Sequence, residues 1–254
     1  MIKCIFITQN EPFYLRNTFE VILNELHEDI EVTGVVLLDP SPFGKKFSII
    51  QKYFETLKIF GLKFCVYYFI KLVQSKLGNR SVKSLLEKHN IPIIKLNSSI
   101  NSTESLEKIK SFDPDILISI AGNQIFKKDL INLADLGCLN LHTSLLPKYR
   151  GLMPTFWVLK NNEKQTGVSV FYVDEGIDSG EIILQKKIYI NKMTQEELIK
   201  KTKHMGALCV VESLNLIRKG AVKLIPNDDD KMSYYGFPSR KDVIEFKKAG
   251  AKFF

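Results

Sequence analysis

Histidine is scarce in this 254-residue chain, and the four present, His27, His89, His142 and His204, show no spacing at which two could hold one metal ion. A zinc centre of the usual kind is therefore not expected, and no metal is assigned. Cysteine is equally thin: Cys4, Cys65, Cys138 and Cys209 lie far apart, form no CxxC pair and sit among apolar neighbours. They read as reduced core residues. No apolar run reaches the roughly 20 residues that span a bilayer, because the most apolar stretch, residues 61–73, is broken by Lys63 and Lys71. The apolar part of the N-terminus, residues 2–8, is too short for a signal peptide and lacks a small-residue cleavage site, so it reads as a first core strand and the expected compartment is the cytoplasm.

Glycine is missing where a dinucleotide would need it. The first strand runs into Thr8-Gln9-Asn10-Glu11-Pro12, which gives no close backbone approach to a pyrophosphate. Neither the phosphate-cradling GxxxxGK nor the GxSxG nucleophile turn occurs. NAD, FAD, P-loop and serine-nucleophile chemistry all lose their usual sequence support.

What remains is an ordinary globular composition, 45% hydrophobic, long enough for one large domain with a small appendage. The net charge of +8 is spread along the chain rather than gathered in a block, so by itself it selects no partner. Short β-branched runs alternate with longer amphipathic ones: strand at 2–8, helix near 14–27, strand at 30–38, and further strands at 91–95, 115–121 and 138–142 with helices near 102–111 and 127–133. That is an α/β pattern, a Rossmann-like, mostly parallel sheet with helices on both faces. After His142 a short helix at 154–160 leads to a hairpin-like pair of strands, 165–172 and 181–189. Thr194 with Glu197, and Ser239 with Asp242, open a long helix ending near Gly220 and a short one closed by Gly250. Residues 1–220 form the expected main domain and 221–254 a short C-terminal helical tail packed on it.

Residues 43–77 stand out, with Phe43, Phe47, Tyr53, Phe54, Phe60, Phe64, Tyr67, Tyr68 and Phe69 between regularly spaced lysines. The pattern predicts helices. Their plainest role is packing on the sheet edge, ahead of a partner- or acceptor-binding insertion and of peripheral membrane contact.

Polar residues accumulate where the strand at 138–142 ends. Period-2 alternation places Asn140 and His142 on one face and Leu139 and Leu141 on the other, and the carboxyl end of a parallel strand is where open α/β sheets hold ligands. Farther on, Gly176 and Gly180 bracket Asp178 in a loop with backbone freedom to swing or to approach a ligand closely.

The runs Leu139-Asn140-Leu141-His142-Thr143-Ser144-Leu145-Leu146-Pro147, Gly167-Val168-Ser169-Val170 and Val173-Asp174-Glu175-Gly176-Ile177-Asp178-Ser179-Gly180 closely resemble the folate-dependent formyltransferase family. The likeness is dense over residues 113–189, weaker along the first strands and lost across 43–77. It implies transfer of a formyl group from 10-formyltetrahydrofolate to an amine, with Asn140, His142 and Asp178 catalytic. Ser144, Leu145, Leu146 and Pro147 match the family's folate-contacting run. More loosely, the resemblance puts the pterin against Gln124, Ile125 and Phe126 and against Asp174, Gly176 and Ile177, with Ile125 and Phe126 walling the ring; Asn123-Gln124 departs from the better-known branches.

The residue types suit the chemistry the family performs. Negative charge grows on the formyl oxygen as the amine attacks, and Asn140 with a protonated His142 can donate to it. Asp178 favours the charged imidazole and, directly or through a water, takes the proton the nitrogen sheds. The run Arg150-Gly151-Leu152-Met153-Pro154-Thr155-Phe156-Trp157 is closer to the methionyl-tRNA and amino-sugar branches than to the purine branch. The tRNA branch carries a separate C-terminal barrel that the short tail after Gly220 does not match. The expected acceptor is therefore a small, phosphorylated amine, with a nucleotide-linked amino sugar ahead of methionyl-tRNA, and a folate-binding protein without turnover the remaining alternative. A homodimer is compatible with all of these.

Overall fold

The computed structural model describes residues 1–40, 49–78 and 80–254. The chain opens with β1 (Ile2–Gln9), α1 (Leu15–Glu25) and β2 (Ile30–Leu38), then α2 (Ile49–Phe60), α3 (Leu62–Leu77) and α4 (Val82–Lys88). Next come β3 (Ile93–Ile94), α5 (Thr103–Lys110), β4 (Ile116–Ile120), α6 (Lys128–Ile131) and β5 (Cys138–His142). The remainder holds β6 (Arg150–Gly151), α7 (Pro154–Lys160), β7 (Gln165–Tyr172), β8 (Ile182–Tyr189), α8 (Gln195–Arg218), β9 (Tyr234–Tyr235) and α9 (Arg240–Lys248).

Seven strands form one sheet in the order β3-β2-β1-β4-β5-β7-β8. The first five are parallel; β7 runs antiparallel to β5, and β8 to β7. Strand order reverses between β1 and β4, the kind of switch point at which open α/β sheets hold ligands at the strands' carboxyl ends, beside the end of β5. Alternation along each strand sorts two cores. Cys4, Phe6, Ile118, Leu139 and Leu141 face α1, α7 and α8, while Ile5, Ile7, Leu117 and Cys138 face α5 and α6. All four cysteines are buried and free. Gly206 on α8 brings that helix onto the sheet, since a Cβ there would stand 2.7 Å from Leu141 Cδ2.

Local signals explain the helix ends. The capping boxes at Thr194/Glu197 and Ser239/Asp242 are both formed. Helix α1 has no capping side chain at its own boundary; instead the Glu11 carboxylate accepts from the amides of Phe13, Tyr14 and Leu15 at 2.8, 2.9 and 3.1 Å. The first βα turn thus spends its anion-binding amides on a carboxylate of its own chain.

Phe43 and Phe47 lie outside the described residues; from Ile49 onward the aromatic segment is the helix pair α2 and α3. Its inner face is held by a cage around one ammonium. Lys71 Nζ lies 2.9 Å from Glu196 Oε1 and 3.2 Å from Tyr14 Oη, above the Tyr14 ring at 4.4 Å, and within 5.8 Å of the Phe13, Tyr67 and Tyr68 ring centres. Tyr67 donates to the same carboxylate and stacks on Phe254 at 3.8 Å. Burial pushes the Glu196 carboxyl up, but hydrogen bonds from Lys200, Tyr67 and Lys71 outweigh it and hold the group down at about 2.

A carboxyl more acidic folded than unfolded stabilises the fold fully above its unfolded value, near 4.5, and loses that contribution as pH falls toward 2. We expect Glu196→Gln to lower stability at pH 7 by about 2–3 kcal/mol. At pH 3 the deficit should be smaller, as urea unfolding at the two pH values would show. An equal deficit at both would rule out the carboxylate's charge as the cause.

Candidate active site

The site is assembled at the carboxyl end of β5. Asn140 and His142 share the face of the sheet opposite Leu139 and Leu141. Asn140 is half-buried, and its amide makes no hydrogen bond among the described residues. His142 is buried, with Nε2 2.7 Å from the Tyr149 carbonyl, and because a carbonyl only accepts, Nε2 carries a proton. The other ring nitrogen, Nδ1, faces Asp178 Oδ2 at 3.5 Å.

Tyr149 is itself pinned. Its backbone amide donates to Ser233 Oγ at 2.9 Å, its hydroxyl donates to Glu163 at 2.7 Å, and its ring stacks on Tyr235, which stacks on Trp157. Burial, reinforced by Glu163, pushes the Tyr149 phenol up, so it stays a neutral donor.

Asp178 is held from both sides of its loop. Oδ2 accepts from the Gly151 amide at 2.8 Å, which leaves Oδ1 without a partner among the described residues. The Asn227 side-chain amide donates to the carbonyls of Asp178 and Gly180, both at 2.9 Å. Asn227 in turn accepts from the buried Arg150 guanidinium through Oδ1 at 2.9 Å, and Arg150 pairs with Asp229 at 2.7 Å. Asp178 adopts φ of +50°, a conformation sustained by these surroundings. The bracketing glycines serve close packing: a Cβ at Gly180 would stand 1.8 Å from the Tyr172 carbonyl oxygen, and one at Gly176 would stand 2.0 Å from Ser179 Oγ. The loop is built for contact more than for swinging.

The turn after β5 is equally knit. Ser169 Oγ donates to the Ser144 carbonyl at 2.7 Å and accepts from the Leu146 amide at 3.2 Å, while Gln185 donates to the Leu146 carbonyl at 2.8 Å. The Leu146–Pro147 bond is cis. Leu146 packs on Phe171 and Ile182, and Leu145 lies over Gly167, where a Cβ would meet it at 2.4 Å.

The Gln124 region is mixed. Gln124 Oε1 accepts from the Ile100 amide at 3.1 Å and so ties two loops together. Ile125 is exposed, but Phe126 is buried in the core under α5 and α6, so of the expected pair only Ile125 stands open to a ring. Asp174 Oδ1 accepts from Gly176 N and Ser179 Oγ at 3.1 and 2.6 Å, and Ile177 is exposed beside them.

Sequence reasoning missed Asn227, Asp229 and the Tyr149 carbonyl. Asn227 opens the run Asn-Asp-Asp-Asp, which reads only as a turn, and a backbone acceptor carries no side-chain signal.

Residues 72–214 match the model of the family described as formyl transferase. The chain belongs to the formyl transferase family. Within it, the chain is 39% identical over 176 residues to the methionyl-tRNA formyltransferase of Clostridioides difficile, covering 68% of this chain and 57% of that one. It therefore spans little more than half the length of that relative. In fold it is similar to the phosphoribosylglycinamide formyltransferase of Anaplasma phagocytophilum, with TM-score 0.64, 14% identity and 93% and 99% of the two chains covered. It is similar also to an N-formyltransferase of Helicobacter canadensis solved with folinic acid and dTDP-3-aminofucose, with TM-score 0.55, 20% identity and 95% and 72% covered.

Asn227→Ala removes the splint between Arg150 and the Asp178 loop of this formyl transferase chain. We expect a stability loss of about 2 kcal/mol and faster amide exchange at residues 176–180. Unchanged exchange in that loop would show that Asn227 does not hold it.

Proposed function

We propose that this protein transfers a formyl group from 10-formyltetrahydrofolate to the amine of a small phosphorylated acceptor, a nucleotide-linked amino sugar being the leading candidate. The observation that carries the reading is the meeting of His142 and Asp178 at 3.5 Å across 35 intervening residues, beside an Asn140 amide with no partner among the described residues. Unengaged donors and an unengaged carboxylate oxygen at one point fit a reaction that moves a proton while charge grows on an oxygen.

The lone pair of the acceptor nitrogen forms the new bond to the formyl carbon as electrons shift to the formyl oxygen. Asn140 Nδ2 and a protonated His142 Nδ1 supply hydrogen bonds to that oxygen; Nε2 is committed to Tyr149 and is not free to do so. As the oxygen's electrons return, the bond between the formyl carbon and the folate nitrogen breaks. The proton lost by the acceptor passes to Asp178 Oδ1, directly or through a water, and ends on the departing nitrogen. The Ser144–Pro147 turn and the segments at Gln124–Ile125 and Asp174–Ile177 offer the surroundings for the folate. The exposed Ile125 and Ile177 provide apolar surface there.

Methionyl-tRNA is the second reading, favoured by the methionyl-tRNA formyltransferases among its relatives, such as those of Clostridioides difficile and Kosmotoga olearia at 39% and 38% identity. Residues 221–254 brace the Asp178 loop and β6 through Asn227, the β6–β9 pairing and the Trp157 indole donating to the Gly236 carbonyl. The Helicobacter canadensis N-formyltransferase, solved with folinic acid and dTDP-3-aminofucose, supports the small-acceptor reading.

Incubation with 10-formyltetrahydrofolate and a panel of nucleotide amino sugars, glycinamide ribonucleotide and charged initiator tRNA separates these readings by which acceptor gains a formyl group. Transfer to a nucleotide sugar should fall shallowly with salt, whereas tRNA would give a steep slope through its many phosphate contacts. Efficient, steeply salt-dependent formylation of tRNA would replace the first reading by the second.

Asn140→Ala and His142→Ala should each slow transfer by about 100-fold or more while retaining folate affinity, and the double variant should lose little beyond the worse single one. Asp178→Asn should collapse the rate with folate binding intact, measured by single-turnover transfer beside equilibrium titration. Wild-type turnover in any of the three would refute the assigned role.

A further inference from the structure

Helix α3 has a second face that neither the fold nor the site uses. Leu62, Val66, Phe69, Ile70, Val73 and Leu77 are each 40–85% exposed. At about 100° per residue they fall within one arc of roughly 100°, the width of a buried apolar stripe, yet the stripe faces away from the Lys71 cage. Lys63 and Lys76, both exposed, border the arc on its two sides. Helix α2 repeats the arrangement, with exposed Ile50, Tyr53 and Phe54 beside exposed Lys58.

Charge selects the occupant. On this side α3 carries Lys63 and Lys76 and no carboxylate, its third lysine, Lys71, being held in the inner cage, and α2 carries two lysines and only Glu55. Pairing this face with the same face of a second copy would set lysine rows against each other. An apolar stripe rimmed by cations fits a surface that is apolar inside and anionic at its boundary. We propose that α2 and α3 dock the protein on an anionic lipid bilayer, with the α3 stripe lying in the headgroup region. No described helix is long and apolar enough to cross a membrane, so the contact is peripheral.

Flotation of the full chain with phosphatidylcholine vesicles containing about a quarter phosphatidylglycerol tests the proposal, against vesicles of phosphatidylcholine alone. The wild type should float with the anionic vesicles and not with the neutral ones. Phe69→Glu/Val73→Glu should cut the bound fraction at least about tenfold, and Lys58→Glu/Lys76→Glu should abolish the anionic preference. Circular dichroism checks folding, and Phe69→Ser/Val73→Ser provides the same readout should the glutamate pair misfold. Failure of the wild type to float with either vesicle overturns the proposal. So does a concentration-dependent dimer in sedimentation velocity that Phe69→Glu/Val73→Glu dissolves without any vesicle binding, which would assign the face to a second copy. Neither outcome bears on formyl transfer, which the acceptor panel reads separately.

Discussion

The site depends on the hydrogen bond from His142 Nε2 to the Tyr149 carbonyl. An imidazole at the end of a strand can rotate and exchange tautomers, and this bond settles both matters. It orients the ring, places one proton on Nε2 and leaves Nδ1 as the nitrogen facing Asp178. The constraint spreads outward, because the carbonyl is useful only if Tyr149 is immobile. The stack Tyr149–Tyr235–Trp157, the Glu163 hydrogen bond and the pairing of β6 with β9 secure that residue from side chain and backbone. A buried acceptor aimed at one ring nitrogen thus links the end of β5 to a segment some 85 residues downstream at Ser233–Tyr235.

The same downstream segment sets the carboxylate. Asn227 ties the Asp178 and Gly180 carbonyls to the Arg150 guanidinium, and the residue after Arg150 gives its amide to Asp178 Oδ2. Histidine and aspartate are therefore positioned by Tyr149 and Gly151, the residues on either side of Arg150 at one short strand edge. Displacing that edge would move both partners together and preserve their separation better than two independent supports could. Gly151 is the residue that makes the edge feasible. It sits at φ of +95°, and a Cβ there would stand 2.3 Å from the Tyr235 carbonyl oxygen.

What the sequence made legible follows the strength of its periodic signals. Alternation in β5 separated Asn140 and His142 from Leu139 and Leu141, and the capping boxes at Thr194 and Ser239 located two helices. The carboxylate loop was legible only through family resemblance, since nothing in the spacing of Asp178 from His142 demands their contact. Two-residue strands such as β6 and β9 have no period to read. Phe126 marks another limit. An aromatic residue near a ligand crevice has the same letter whether its ring walls the crevice or fills the core beneath, and here it fills the core.

The aromatic segment shows how one composition can serve two environments. Phe60, Phe64, Tyr67 and Tyr68 turn inward to contact Phe13, Phe253 and Phe254, while Phe69 and its stripe turn out. Lysines divide in the same way: Lys71 is drawn into the inner cage and neutralised by Glu196, whereas Lys63 and Lys76 remain exposed at the stripe's borders. The inner cage has a consequence for the outer face. Because Glu196 belongs to the first turn of α8, the ion pair fixes α3 to the longest helix of the fold, which itself packs on the sheet beneath β5. A surface that must meet a partner without unfolding needs such an anchor, since an amphipathic helix held only by its apolar face could turn that face inward or peel away.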